Sequence, residues 1–369
     1  MRRVMLGSLL VCLVAFALFV LYSPSEQDPS AETPSDEVVA ERIREELREV
    51  ATPDYVQAQI ARTLDEDRPE EAEGYIALAA ELGQAVPAGL LARYEEATST
   101  TAAVWRTTTR GAWGFLTGEA EDGASLAGSA ISDLTLYGDA RDVTFQTRNY
   151  LTGAEVDEFV LGLSVVGLGM SAATVATAGT AAPAKVGLSM VKAAKRAGRL
   201  TAGLETALRR TVAETVDMPA LRRQLGALDW RSPGKSIEGV KSYAAGLDTA
   251  RLRGMFGQLG SVVDKTSAGG AMRILRHVDS ADDLVKAERV AARFGKASPA
   301  VFETLGKRVF KAFAKVAKMA IEALWALITA ILSALSFVIS TLWTVVKLLR
   351  RLFARLRAGR RPVAQSAGT

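Results

Sequence analysis

The sequence predicts an all-α membrane protein, and three observations carry that expectation. Apolar residues recur at helical spacing, alternating β-branched runs are nearly absent, and three long segments of the 369-residue chain carry almost no charge. Apolar residues make up 49% and charged residues 23%; the apolar ones are gathered in blocks, as spans are. The charge is divided too. Residues 23–158 carry 28 Asp/Glu and 10 Arg, a balance of −18, whereas residues 159–369 carry 33 Lys/Arg and 13 Asp/Glu, a balance of +20. No lysine precedes Lys185. Cations beside a span resist export, so this split predicts a chain threaded through a membrane.

The first apolar segment, Val4 to Tyr22, follows Met1-Arg2-Arg3 and reads as an N-terminal anchor over 1–22. It is longer than the apolar run of a signal peptide, and no small-x-small cleavage site follows it. Arg2 and Arg3 then hold the N-terminus in the cytoplasm, with residues 23–158 periplasmic or otherwise extracytoplasmic. Residues 23–35 are polar and Pro-rich, the composition of a linker.

From Asp36 the pattern turns helical, and residues 36–158 read as an acidic helical module. Val39, Ile43, Leu47 and Val50 share one helix face. A second helix is expected over Tyr55–Leu64 after the N-cap pair Thr52-Pro53, a third over Pro69–Leu82 ended by Gly83, and a fourth over Ala88–Glu96. The third and fourth read as an antiparallel pair of the tetratricopeptide kind.

The second apolar segment, residues 159–184, has 26 residues without charge and is rich in Gly, Ala, Ser and Thr. Gly169, Ala173, Thr177 and Ala181 lie four apart and form a small-residue stripe suited to close helix packing. Two readings stay open: a membrane crossing, and a buried helical hairpin with its turn near Gly179–Pro183. The crossing is the expectation, since exporting residues 185–318 would carry a balance of +14 across. In that region Gly254, Gly257, Gly260, Gly269 and Gly270 predict several short helices with tight turns.

The third segment, Met319 to Val346, carries only Glu322 and reads as a transmembrane helix over 319–346. Trp325 and Trp343 are 18 residues apart, about 27 Å along a helix, and suit the two interfaces of a bilayer. Lys307, Arg308, Lys311, Lys315 and Lys318 precede the span; Arg350, Arg351 and Arg355 stand in the basic tail 347–369 that follows. Amphipathic spacing on both sides marks these eight cations as candidate contacts for anionic lipid.

Several chemistries are excluded. Cys12 and His277 are the only residues of their kinds, and Cys12 lies inside the apolar run Val4–Tyr22. No Cys/His zinc site, no internal disulfide and no catalysis by a Cys–His pair is therefore expected. Pro233-Gly234-Lys235-Ser236 resembles the end of a phosphate-binding loop, but Asp229 stands where that motif requires glycine. The basic half lacks aromatics interleaved with its cations, so nucleic acid is not the expected partner. No cofactor is expected.

Ser132 to Leu200 contains Tyr-Gly-Asp-Ala-Arg-Asp at 137–142, Thr-Gly at 152–153, a Gly-rich apolar stretch and a Lys/Arg-rich one. This order resembles the pre-toxin module of bacterial polymorphic toxins, where a Gly-Asp-x-x-Asp turn and a Thr-Gly turn precede two glycine-rich helices. The resemblance implies a module associated with bacterial secretion or membrane passage. Those proteins continue into a catalytic toxin domain, whereas this chain continues into an apolar helix. The expectation is a non-enzymatic bacterial inner-membrane protein that holds lipids and a protein partner. The alternative is a toxin-related, membrane-active protein.

Overall fold

The computed structural model describes residues 35–99, 157–176, 182–226 and 233–358. Every regular element among them is helical. The N-terminal anchor, the linker up to residue 34 and the Gly-Asp and Thr-Gly turns of the pre-toxin-like stretch lie outside the described residues. Two units can be distinguished: Ser35–Phe313 forms the larger, and Ala314 onward belongs to the second.

The acidic module opens with α1 (Asp36–Val50), α2 (Pro53–Asp65), α3 (Pro69–Glu81) and α4 (Ala88–Thr98). The predicted apolar face of α1 buries Val39, Ile43 and Leu47. Asp36 and Glu37 occupy its first turn, where carboxylates complement the exposed N–H groups. Thr52 caps α2 by accepting the Tyr55 N–H at 3.3 Å, and Pro53 fills the first turn, where its missing N–H costs nothing. After α3 the chain turns through Gly83 at φ 68°, a left-handed conformation that suits glycine.

The central part comprises α5 (Glu158–Ala176), α6 (Ala182–Arg196), α7 (Ala202–Thr215), α8 (Met218–Gly226), α9 (Pro233–Ala245) and α10 (Ala250–Lys265). Leu161 to Met170 of α5 are buried at every position. A helix that is apolar on all sides belongs in a core or a membrane; here α6, α7 and α9 surround it.

α11 (Ala268–Leu275), α12 (Ala281–Phe294), α13 (Ser298–Leu305) and α14 (Arg308–Ala358) complete the order. Ser280 caps α12 by accepting the Asp283 N–H at 3.0 Å. Gly254, Gly257 and Gly260 all lie within the single 16-residue helix α10 and do not divide it. Tertiary packing overrides their weak helix propensity. At Gly260 a Cβ would overlap the Pro183 carbonyl, and at Gly187 of α6 one would overlap the Phe256 carbonyl, so α6 and α10 cross backbone to backbone.

Candidate membrane interface

α14 runs for 51 residues, and none of the residues 319–346 in its apolar stretch is buried inside the protein. It is the one helix among the described residues that is long and apolar enough to cross a membrane. Leu335, Phe337, Ile339 and Leu342 all stand exposed. Their side chains therefore leave more than half of their surface uncovered, which forgoes roughly 25 cal/mol for each Å² of apolar area.

Trp343 is exposed near the far end of this stretch, and Lys347 places its ammonium 5.2 Å from the indole centroid. This cation–π pair sits where an interfacial indole and a headgroup-binding cation are expected together. Trp325, at the other end, is half-buried. Lys347, Arg350, Arg351 and Arg355 are exposed, as are Lys311, Lys315 and Lys318. Lys307 forms an ion pair with Asp279, and Arg308 directs its Nε to the Leu305 carbonyl at 3.4 Å. The eight predicted lipid contacts thus differ in character, with Lys307 engaged by a carboxylate of its own unit.

The predicted stripe is described in part. Gly169 abuts the Ala244 carbonyl on α9 so closely that a Cβ would overlap it. Ala173 lies on the same helix, and Thr177 and Ala181 fall outside the described residues. What approaches Gly169 is another helix of the same unit.

Packing departs most from expectation between the acidic and basic halves. The crossing reading of residues 159–184 puts 36–158 and 185–318 on opposite sides of a bilayer. The structure instead packs the acidic helices onto the basic ones within Ser35–Phe313. Arg289 Nε lies 2.5 Å from Asp36, and Arg293 Nε lies 3.1 Å from Glu37. Lys296 pairs with Glu73, and Ser267 donates to Glu70. The hydrogen bond from Arg293 holds the Glu37 carboxyl below its ordinary range.

A polar cluster with buried Arg273 and Tyr75 and half-buried Glu71 and Glu303 lies along the same seam. Arg273 is 3.3 Å from Glu71 and 3.5 Å from Glu303, and Tyr75 donates to Glu303 at 3.2 Å. Burial pushes the Glu303 carboxyl above its ordinary range against the pull of Arg273, and burial likewise raises the Tyr75 phenol. Sequence reading missed this cluster because its members stand far apart in the chain and share no motif. A pocket between α1 and α12, lined by Asp36, Ile43, Arg289 and Phe294, holds about 10 Å³, space for one water at most. Among the described residues no group of three His, Cys, Asp or Glu is placed to hold a metal ion.

No protein-family model, curated protein or solved structure matches this chain.

Proposed function

We propose that this chain is a non-enzymatic membrane protein in which α14 crosses the bilayer and holds the helical unit Ser35–Phe313 at the surface. There the unit serves as a scaffold for lipids or a protein partner. The observation that carries the reading is the apolar stretch of α14, none of whose residues is buried. Residues 319–346 extend about 42 Å as a helix, which exceeds a ~30 Å hydrocarbon core. Lys347, Arg350, Arg351 and Arg355 would contact anionic headgroups on one side, and Lys311, Lys315 and Lys318 on the other. The test is alkaline carbonate extraction of membranes from cells making the full chain. The protein should stay in the pellet, and Leu332→Arg combined with Leu335→Arg should release it. Release of the unaltered chain would refute the crossing.

A second reading is supported by α5, whose stretch Phe159–Ala176 carries no charge. If the larger unit opened, this helix would enter a bilayer and permeabilise it, as the toxin-related alternative requires. Collapse of membrane potential on expression would favour that reading, and unchanged potential at high expression would eliminate it.

A further inference from the structure

We infer that residues 35–313 lie wholly on one side of the membrane, outside the cytoplasm, and that α14 returns the chain so that the basic tail 347–369 is cytoplasmic. The inference rests on the proposed crossing by α14 and goes beyond it by fixing the two sides.

Contact excludes a bilayer between the acidic and basic helices. Asp36 meets Arg289, Glu37 meets Arg293 and Glu71 meets Arg273, each within 3.5 Å. A Cβ on Gly74 would lie 3.8 Å from the Ala300 side chain, so the two sets of helices also touch away from the charges. A ~30 Å hydrocarbon core has no room there. The chain between these partners must therefore cross an even number of times. Residues 159–184 supply 26 uncharged residues, enough for one crossing and too few for two at about 20 residues each. In residues 100–156 the longest uncharged run, 123–132, has ten residues. The even number is zero.

α5 itself carries the same message. Arg222 pairs with Glu158 at its start, Arg209 lies 4.6 Å over the Phe159 ring, and Lys192 donates to Ser164 at 2.8 Å. Three cations from the basic half thus engage the first seven residues of the segment expected to leave that half behind.

The side follows from how charge governs insertion. Lys and Arg bias orientation when they lie in short loops close to a span, whereas long domains are exported largely regardless of charge. Ser35–Phe313 is a long domain, so its surplus of cations does not hold it inside. The tail is short and carries Lys347, Arg350, Arg351, Arg355, Arg357, Arg360 and Arg361. The other flank of the span carries Lys307, Arg308, Lys311, Lys315 and Lys318, five cations against the seven of the tail, and Lys307 is already paired with Asp279. Retaining the tail is the lower-cost choice. Arg2 and Arg3 before the apolar run Val4–Tyr22 agree with it, because two crossings place both ends of the sequence in the cytoplasm.

The test is cysteine labelling of the full chain after Cys12→Ala. One new cysteine is introduced at Ser242, exposed on α9, or at Ser366 in the tail. A membrane-impermeant maleimide should label Ser242→Cys in intact cells whose outer membrane has been permeabilised. It should label Ser366→Cys only after lysis. Any other pattern overturns the inference, provided each cysteine reacts after lysis. A Glu73→Cys/Lys296→Cys pair should also join through a short bis-maleimide, and failure to join would remove the same-side argument. Carbonate extraction separates the two failures. Release of the chain from the membrane refutes the crossing itself, whereas a retained chain with the wrong labelling pattern refutes only the sidedness.

Discussion

Arg273 on α11 is shared by two carboxylates, Glu71 on α3 and Glu303 on α13, at 3.3 Å and 3.5 Å. Glu71 comes from the acidic half of the chain and Glu303 from the basic half, so one buried guanidinium joins them. Removing the buried guanidinium leaves two half-buried carboxylates without the cation they share. Arg273→Ala should lower stability by about 3–5 kcal/mol, read by thermal unfolding of the full chain in detergent. Glu303→Gln should cost under about 1 kcal/mol at neutral pH, because the amide keeps an acceptor for Tyr75 and removes a charge whose burial is unfavourable. Glu303 has a raised pKa in the fold, so its contribution is favourable in acid and is lost as pH rises above the ordinary carboxylate value. Glu303→Gln should flatten that part of the pH profile.

Glycines on α10 should respond with opposite signs. A Cβ at Gly260 meets the Pro183 backbone, whereas Gly254 and Gly257 have nothing within 4 Å. Gly260→Ala should destabilise by about 1–3 kcal/mol through overpacking. Gly254→Ala and Gly257→Ala should each stabilise by up to about 1 kcal/mol through helix propensity alone. Chemical denaturation midpoints of the three variants check the ordering.

His277 stacks 6.0 Å from Phe302, with Arg276 and Lys307 near it. Burial and those two cations hold its pKa below the ordinary value. The fold therefore prefers the neutral ring, and the unfolded chain binds the extra proton first. The contribution is complete above a pH of about 6.5 and declines as pH falls below it. His277→Gln should weaken the dependence of melting temperature on pH below about 6.5. An unchanged slope would show that other groups carry it.

Ser280→Ala removes the oxygen that accepts the Asp283 N–H at the start of α12. The expected loss is about 1 kcal/mol. Ser280→Asp should retain most of the stability, since a carboxylate fills the same acceptor role; paired melts of the two variants test the cap directly.

Local signals located the helices of the acidic module closely. Thr52-Pro53 and Gly83 marked boundaries through backbone chemistry that acts over a few residues, and α2 and α3 begin and end where those residues place them. Glycine misled in α10 because three open or close-packed positions look alike in one dimension. The apolar run Phe159–Met170 left a crossing and a buried hairpin both open for a related reason. Burial by protein and burial by lipid select the same residue types, and only the neighbours α7 and α9 distinguish them. At the candidate interface, spacing singled out Trp343, Arg350, Arg351 and Arg355, and the structure leaves all four exposed. The cluster at Arg273 was not, because Tyr75 and Glu303 are separated by 228 positions.

The seam between the chain's two halves also has a consequence for the order of events at birth. Asp36 and Arg289, which meet in the finished unit, are 253 positions apart. At a synthesis rate of about 5–20 residues per second, the acidic helices wait tens of seconds before their partners emerge. Native contacts of such high order close slowly. During that interval α1 and α3 expose the apolar faces that α11–α13 later cover. The seam therefore closes only after α11, α12 and α13 have emerged.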